Sequence, residues 1–327
     1  MASETSPLKK TNSHKSTVVY NTRTRKVEVY DDSHDEGKVF LPEEQKSSDS
    51  DDTWQRRIAG TLKSKNQFLR LFLAEFLGTF VLIAFGVGCV AQVVLNKNNF
   101  RFGIVPINLG WGLAVSFGVY ACGGMSHGHI NPAATIAFAI FGRLKWRFVP
   151  VYLLGQYLGA FFGALAVYCV YHDQINFVEQ GNRENATTSH IFATYPQGDH
   201  ISTFQGFVDQ VFATGLLILL AMAVTDERNM QVSKGLAPLI IGLGVTALTT
   251  AYESNCGAAL NPARDFSPRL FTAMFGWGSR VFSYRNYNWF WVPILGPHIG
   301  AILGGWLYNI CVGLHLDPID KKICVKM

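Results

Sequence analysis

Two copies of Asn-Pro-Ala, Asn131-Pro132-Ala133 and Asn261-Pro262-Ala263, constrain this chain more than any other feature. Asn is a favoured helix cap and Pro a favoured first helical residue, so each triplet marks a helix start. The apolar run behind each is only about ten residues, whereas a helix needs roughly 20 to cross a bilayer. Two half-length helices among long apolar segments predict helices that enter a membrane and stop midway. Such backbone is tolerated in lipid only where protein buries it or where it lines a watery cavity. The triplets point to a pore.

The surrounding pattern fits that reading. Hydrophobic residues make up 49% of the chain and charged residues 16%, unevenly distributed. Residues 1–66 are rich in Ser, Thr, Lys, Asp and Glu and read as a disordered cytoplasmic tail, with too little apolar surface to offset ordering. Six spans are expected at about 68–95, 104–123, 148–170, 204–224, 235–252 and 289–313, within a channel domain of 67–315. Residues 316–327 form a short C-terminal tail. Six crossings place both termini on one side. Arg56, Arg57, Lys63, Lys65, Arg143, Lys145, Arg147, Lys321 and Lys322 gather there, which makes that side cytoplasmic. The 171–203 connection then faces outward, and Asn185 opens a glycosylation acceptor triplet within it. A net charge of +5, modest and spread out, gives no nucleic-acid signature.

The chain repeats itself. Glu75 and Thr79 in one span match Gln210 and Thr214 in another, and the triplets stand 130 residues apart. Val149-Pro150 heads a span containing Gly159 and Gly163; Val292-Pro293 heads one containing Gly300 and Gly304. Each half holds three spans and one half-helix, so the second copy begins on the opposite membrane face and the repeat is inverted. The half-helices enter from opposite sides and meet near the midplane, where small-xxx-small spacings let spans approach closely.

This double Asn-Pro-Ala inverted repeat resembles the aquaporin superfamily, the major intrinsic proteins, over roughly residues 68–315. Asn261-Pro-Ala-Arg-Asp-Phe-Ser-Pro-Arg-Leu-Phe271, Gly276-Trp277-Gly278, Ile191-Phe-Ala-Thr-Tyr-Pro196 and Trp291-Val-Pro-Ile294 narrow the resemblance to the aquaglyceroporin branch of animal type. The resemblance implies an all-α membrane protein with six transmembrane helices and two re-entrant half-helices, assembled as a homotetramer in the plasma membrane. The implied function is passive conduction of glycerol, water and small neutral solutes such as urea, with ions and protons excluded. It implies no enzyme activity, no cofactor and no metal. Arg264 matches the filter arginine and Trp111 its aromatic wall. Thr249 takes the place of a histidine in water-only channels, and Ala258 departs from an often aromatic position. Together these imply a roomier filter.

Elementary chemistry supports this division of roles. A helix N-terminus carries unpaired N–H groups and about half a positive charge, so two of them meeting at mid-membrane repel cations. Each Asn caps its half-helix and has amide hydrogens to offer a passing oxygen. Glu75 has two readings, a pathway group or an acceptor for re-entrant backbone; the second is preferred because Gln210 can do the same without charge. His129, just before the first triplet, is placed at the cytoplasmic vestibule and read as structural. Asp265 follows Arg264 and marks the glycerol-conducting branch. Trp54, Ile58 and Leu62 recur at helical spacing and read either as a short interfacial helix or as linker. Cys256 is placed near the outer mouth, read as a small hydrophobe or as a site that thiol-reactive metals reach. Two rival functions stay open, a water-selective pore and a secondary transporter, although transporters usually carry acidic groups at the midplane.

Overall fold

In a computed structural model of the chain, the described residues are 16–21, 26–31, 54–96, 103–180, 182–183 and 187–318. Asn185 lies outside them, as does the chain beyond 318. The chain divides into two compact units, Met1–Lys63 and Ser64–Met327.

In the first unit, an antiparallel hairpin pairs β1 (Ser16–Asn21) with β2 (Lys26–Asp31), with Val18 opposite Val29. A helix, α1 (Trp54–Leu62), follows. Within the stretch expected to be a disordered tail, the described residues form these two strands and this helix. Average composition hides two short runs of β-branched and aromatic residues, the types that favour pleated backbone. Trp54, Ile58 and Leu62 are exposed along α1.

The second unit repeats its start signals element by element. Asn66 caps α2 (Gln67–Leu95), accepting from the Phe68 N–H at 2.9 Å. Ser202 caps α6 (Thr203–Thr225), accepting from the Gln205 N–H at 3.1 Å. Between them lie α3 (Val105–Ser126), the half-helix α4 (Pro132–Ile140) and α5 (Val149–Glu179). After α6 come α7 (Ala237–Tyr252), the half-helix α8 (Pro262–Thr272), a short α9 (Arg280–Ser283) and α10 (Val292–Cys311). Proline opens α3, α5, α7 and α10, where its missing N–H would be unpaired anyway. The order is thus capped helix, proline-headed helix, half-helix, proline-headed helix, twice over.

Five of these helices are long and apolar enough to span a membrane, α7 being the shorter sixth. Its 16 residues rise about 24 Å at 1.5 Å each, close to the hydrocarbon thickness. Two features differ from expectation. The α5 helix runs nine residues past 170, because its polar end carries no stop signal before Gln180 adopts left-handed backbone at φ 51°. The second half-helix is not apolar. Asp265 and Arg269 lie four apart on one helical face and are fully buried as an ion pair at 2.8 Å.

Glycines set the packing. A Cβ on Gly159 would stand 2.3 Å from the Phe76 carbonyl oxygen, and one on Gly300 would stand 2.1 Å from that of Val211. Backbone therefore touches backbone where α5 meets α2 and, equivalently, where α10 meets α6. The half-helices cross between halves, with α8 against α5 and α4 against α10. Many large apolar side chains, among them Phe85, Phe212, Leu243 and Leu303, point outward, as a lipid-facing surface requires.

Candidate functional site

Asn131 and Asn261 meet. Each side-chain oxygen caps its own half-helix, Asn131 on the Ala133 N–H at 2.9 Å and Asn261 on that of Ala263 at 3.0 Å. Each amide nitrogen crosses to the other half. Asn131 Nδ2 donates to the Leu260 carbonyl at 2.9 Å, and Asn261 Nδ2 donates to that of Ile130 at 2.7 Å. One N–H of each amide is used in this exchange, which leaves the second for another acceptor. Pro132, Ala133, Pro262 and Ala263 are all buried in the first turns behind them.

The carbonyls face across because Ile130 and Leu260 adopt left-handed backbone, with φ of 45° and 54°. Their N–H groups are held by repeat-related acceptors. Glu75 Oε2 takes the Ile130 N–H at 2.8 Å and Gln210 Oε1 takes that of Leu260 at 3.1 Å. Glu75 also accepts from the His129 N–H at 3.1 Å, from Ser126 Oγ at 2.5 Å and from Gln156 Nε2 at 2.7 Å. This fully buried carboxylate therefore spends both oxygens on the re-entrant loop and its supports. Gln210 Nε2 donates in turn to the Gly257 carbonyl at 3.0 Å. His129 places Nδ1 3.2 Å from Thr135 Oγ1 and packs its ring on Phe138 and Tyr152.

A cavity of about 120 Å³ joins these groups. It runs from His127, Gly128 and His129, past Asn131 and Asn261, to Thr249, Ala258, Trp111 and Arg264. Leu217, Ile218, Ala221, Ile241 and Val245 make most of its wall apolar. At the far end the Arg264 guanidinium lies 4.1 Å from the Trp111 ring centroid and donates to the Phe192 carbonyl at 3.0 Å. Arg264 is 6% exposed. Trp111 is packed so tightly on α2 that a Cβ at Gly86 would overlap its ring. The Thr249 hydroxyl is tied to its own helix, reaching the Val245 and Thr246 carbonyls at 3.1 and 3.0 Å. Ala258 is half-buried on the cavity wall.

Asp265 is turned away from this passage. Its Oδ2 accepts from the Thr194 N–H at 2.7 Å and from the Thr194 hydroxyl, while its Oδ1 binds Arg269 Nε at 2.9 Å. Arg269 donates to the Thr194 and Val281 carbonyls at 2.7 and 3.0 Å, and Trp289 adds an indole N–H to Thr194 at 2.8 Å. This buried network holds the 191–196 loop, which carries the Phe192 carbonyl that receives Arg264. Sequence reasoning missed Arg269, Thr194 and Trp289; the i,i+4 spacing of Asp265 and Arg269 was the available signal. Trp277 from the Gly-Trp-Gly motif anchors the same region, donating to Glu179 and Thr188 at 3.2 and 3.1 Å. Cys256 is fully buried, with Sγ 3.1 Å from Asp209, so its thiol is closed to aqueous reagents.

Compared with known proteins, residues 62–308 match the family model "Major intrinsic protein". The chain is 45% identical to human Aquaporin-9 over 261 residues, 79% of this chain and 87% of that one. It is 43% identical to Aquaporin-10 of Milnesium tardigradum over 288 residues, 83% of this chain and 69% of the other. Among solved structures, that of the aquaglyceroporin from Plasmodium falciparum superposes with a TM-score of 0.68 at 29% identity, covering 76% of this chain and 98% of its own. A matched family model over most of the chain, close relatives and a shared architecture settle the assignment: this multi-pass membrane protein belongs to the major intrinsic proteins, the aquaporins, and within them to the aquaglyceroporin branch.

Proposed function

We infer that this chain is a passive channel for glycerol and water that also admits urea and similar small neutral solutes and excludes ions and protons. The observation that carries this reading is the crossed Asn–carbonyl pair, set within a cavity that continues to Arg264 stacked on Trp111. Two half-helix N-termini converge there, each with about half a positive charge, so a cation meets an electrostatic barrier at mid-passage. The second N–H of each Asn offers a passing oxygen one hydrogen bond, which breaks a water file in its middle. At the outer constriction the Trp111 face suits a carbon skeleton while Arg264 donates to hydroxyls. Thr249 and Ala258 leave that constriction wider than a histidine and an aromatic would.

No catalytic chemistry is assigned to these groups. The basic residues on the 143–147 connection and at both ends support cytoplasmic termini and an outward-facing filter. The outward apolar faces of the helices serve lipid and, in a homotetramer of the plasma membrane, neighbouring subunits. Glu75, Gln210, His129 and Asp265 act on the scaffold, holding the loops that carry the pore groups.

Stopped-flow swelling of vesicles containing the protein, under water, glycerol and urea gradients, tests the reading. All three should cross faster than in empty vesicles, without saturation. Water flux alone would favour a water-selective pore, and saturable uptake driven by an ion gradient would favour a transporter.

A further inference from the structure

The residue that caps the end of α7 carries a carboxylate to which the filter gives no task. Glu253 follows Tyr252, the last residue of α7, and its N–H still bonds the Thr249 carbonyl at 3.1 Å. It therefore stands one helical turn outward of Thr249 on the same face. Thr249 lines the cavity, and the charge of Glu253 acts on Arg264 at its far end. The side chain is half-buried, and its Oε2 has no hydrogen-bond partner among the described residues.

Two neighbouring polar atoms share that condition, Arg264 Nε and Asn108 Oδ1, both on residues more than nine-tenths buried. Asn108 belongs to the same level, since its Nδ2 reaches Thr250 Oγ1 at 3.4 Å. Buried polar atoms are normally paired. Arg264 lines the cavity, and its open donor, with the open acceptors Glu253 Oε2 and Asn108 Oδ1, leaves groups for a hydrogen-bonding solute to satisfy. Charge leads to the same residue. The carboxylates whose charge acts on Arg264 are Asp265 and Glu253. Asp265 is engaged by Arg269 and Thr194, whereas Glu253 keeps an unpaired oxygen.

We propose that Glu253 is a specificity-determining residue of the outer mouth, a carboxylate acceptor that captures donor-rich neutral solutes, polyols and urea, and passes them to Arg264. This rests on the reading of the chain as a conduit for such solutes. Water, which can bond to many groups, gains less from a fixed acceptor than a molecule presenting several O–H or N–H groups at once.

The carboxylate also titrates where it matters. Burial pushes the Glu253 carboxyl up to about 7, with Arg264 acting against the rise. Among the charged groups of α8, Arg264 acts on it, while Asp265 and Arg269 are paired with each other. The α6 helix presents Asp209, held by Cys256, while α3 presents the neutral Asn108 and α7 its own Tyr252. Below about pH 7 Glu253 gains a proton and loses its charge and much of its acceptor strength. Preference for polyol over water should then fall as the outer solution is acidified.

The experiment is stopped-flow on proteoliposomes of parent, Glu253→Gln and Glu253→Asp, at pH 8 and pH 6, with glycerol, urea and water gradients. The parent's glycerol-to-water and urea-to-water ratios should drop several-fold from pH 8 to pH 6. Glu253→Gln should give the low ratio at both values, and Glu253→Asp should keep the pH dependence. Water flux reports folded channel in each case. A Glu253→Gln channel with the parent's ratio and the parent's pH response overturns the proposal, as does a parent whose ratio is flat between the two values. A parent that passes water but neither glycerol nor urea at either pH overturns the conduit reading itself, a different result from a flat ratio.

Discussion

Ile130 and Leu260 hold backbone that side chains with a Cβ rarely adopt, at φ of 45° and 54°, and Ile130 is β-branched as well. Such geometry costs roughly 1–3 kcal/mol per residue and persists where neighbours over-determine it. Here Glu75 or Gln210 holds the N–H and the opposite Asn holds the carbonyl. Replacing Glu75 by Leu strips an acceptor from the Ile130 and His129 N–H groups, at about 1–3 kcal/mol for each buried donor left unpaired. The variant should unfold at a clearly lower temperature in detergent than the parent. An unchanged midpoint would mean that Glu75 merely lines the path. At the filter, Arg264→Ala removes the buried cation and opens the space above Trp111. Larger polyols should enter, and proton or cation leak should become measurable in pH-dye-loaded vesicles; an unaltered selectivity profile would remove Arg264 from the filter. The two asparagines, Trp111 and Arg264 were legible in sequence because each lies within a short motif. Glu253 and Asn108 were not, because nothing local distinguishes them from ordinary loop and helix residues.

Helices were legible because their beginnings are written locally. Asn66, Ser202 and the four prolines that head α3, α5, α7 and α10 act within one turn of themselves. Ends were less legible, as the overrun of α5 shows, since its last polar turns obey neither a membrane boundary nor a strong stop residue. The glycine rows were visible as spacing, but their reason is contact. Gly159→Leu would drive a branched side chain into the Phe76 carbonyl, and overpacking of well-packed cores typically costs about 1–3 kcal/mol or more. Loss of monodisperse protein in size-exclusion chromatography is expected, with Gly300→Leu behaving alike. Wild-type elution for both would refute backbone contact at those crossings. At the C-terminal end of α6, Asp226 accepts from Arg228 Nη2 at 2.7 Å and from the Tyr308 hydroxyl of α10 at 2.9 Å. The Arg228 bonds hold its carboxyl down, at about 2. A depressed carboxylate stabilises the fold above its unfolded value, near 3.9, and loses that contribution as pH falls through the folded one. Asp226→Asn should therefore unfold at a lower temperature than the parent at pH 5, with the gap closing towards pH 2. A gap independent of pH would show that hydrogen-bond geometry alone, not ionisation, ties α6 to α10.

Across the whole molecule, the inverted repeat turns two incomplete bundles into one. Each half-helix packs on the third long helix of the other half, so neither repeat closes its site alone. If the proposed homotetramer holds, native mass spectrometry from detergent should give four chains of 36.2 kDa. A monomer retaining full flux would show that the pore needs no neighbours and that the outward apolar faces meet lipid alone. The sequence by itself determined the membrane class, the sixfold crossing, the two re-entrant helices and the inversion, because hydropathy, caps and repeats are read over a few residues at a time. Only the tertiary structure decided what those pieces do to one another. It crossed the Asn amides onto the opposite carbonyls, turned Asp265 away from the pathway into a buried pair with Arg269, sealed Cys256 and left Glu253 with an unpaired oxygen. Those outcomes depend on residues far apart in the chain meeting in a low-dielectric interior, where an unpaired polar group is costly and packing chooses the partner.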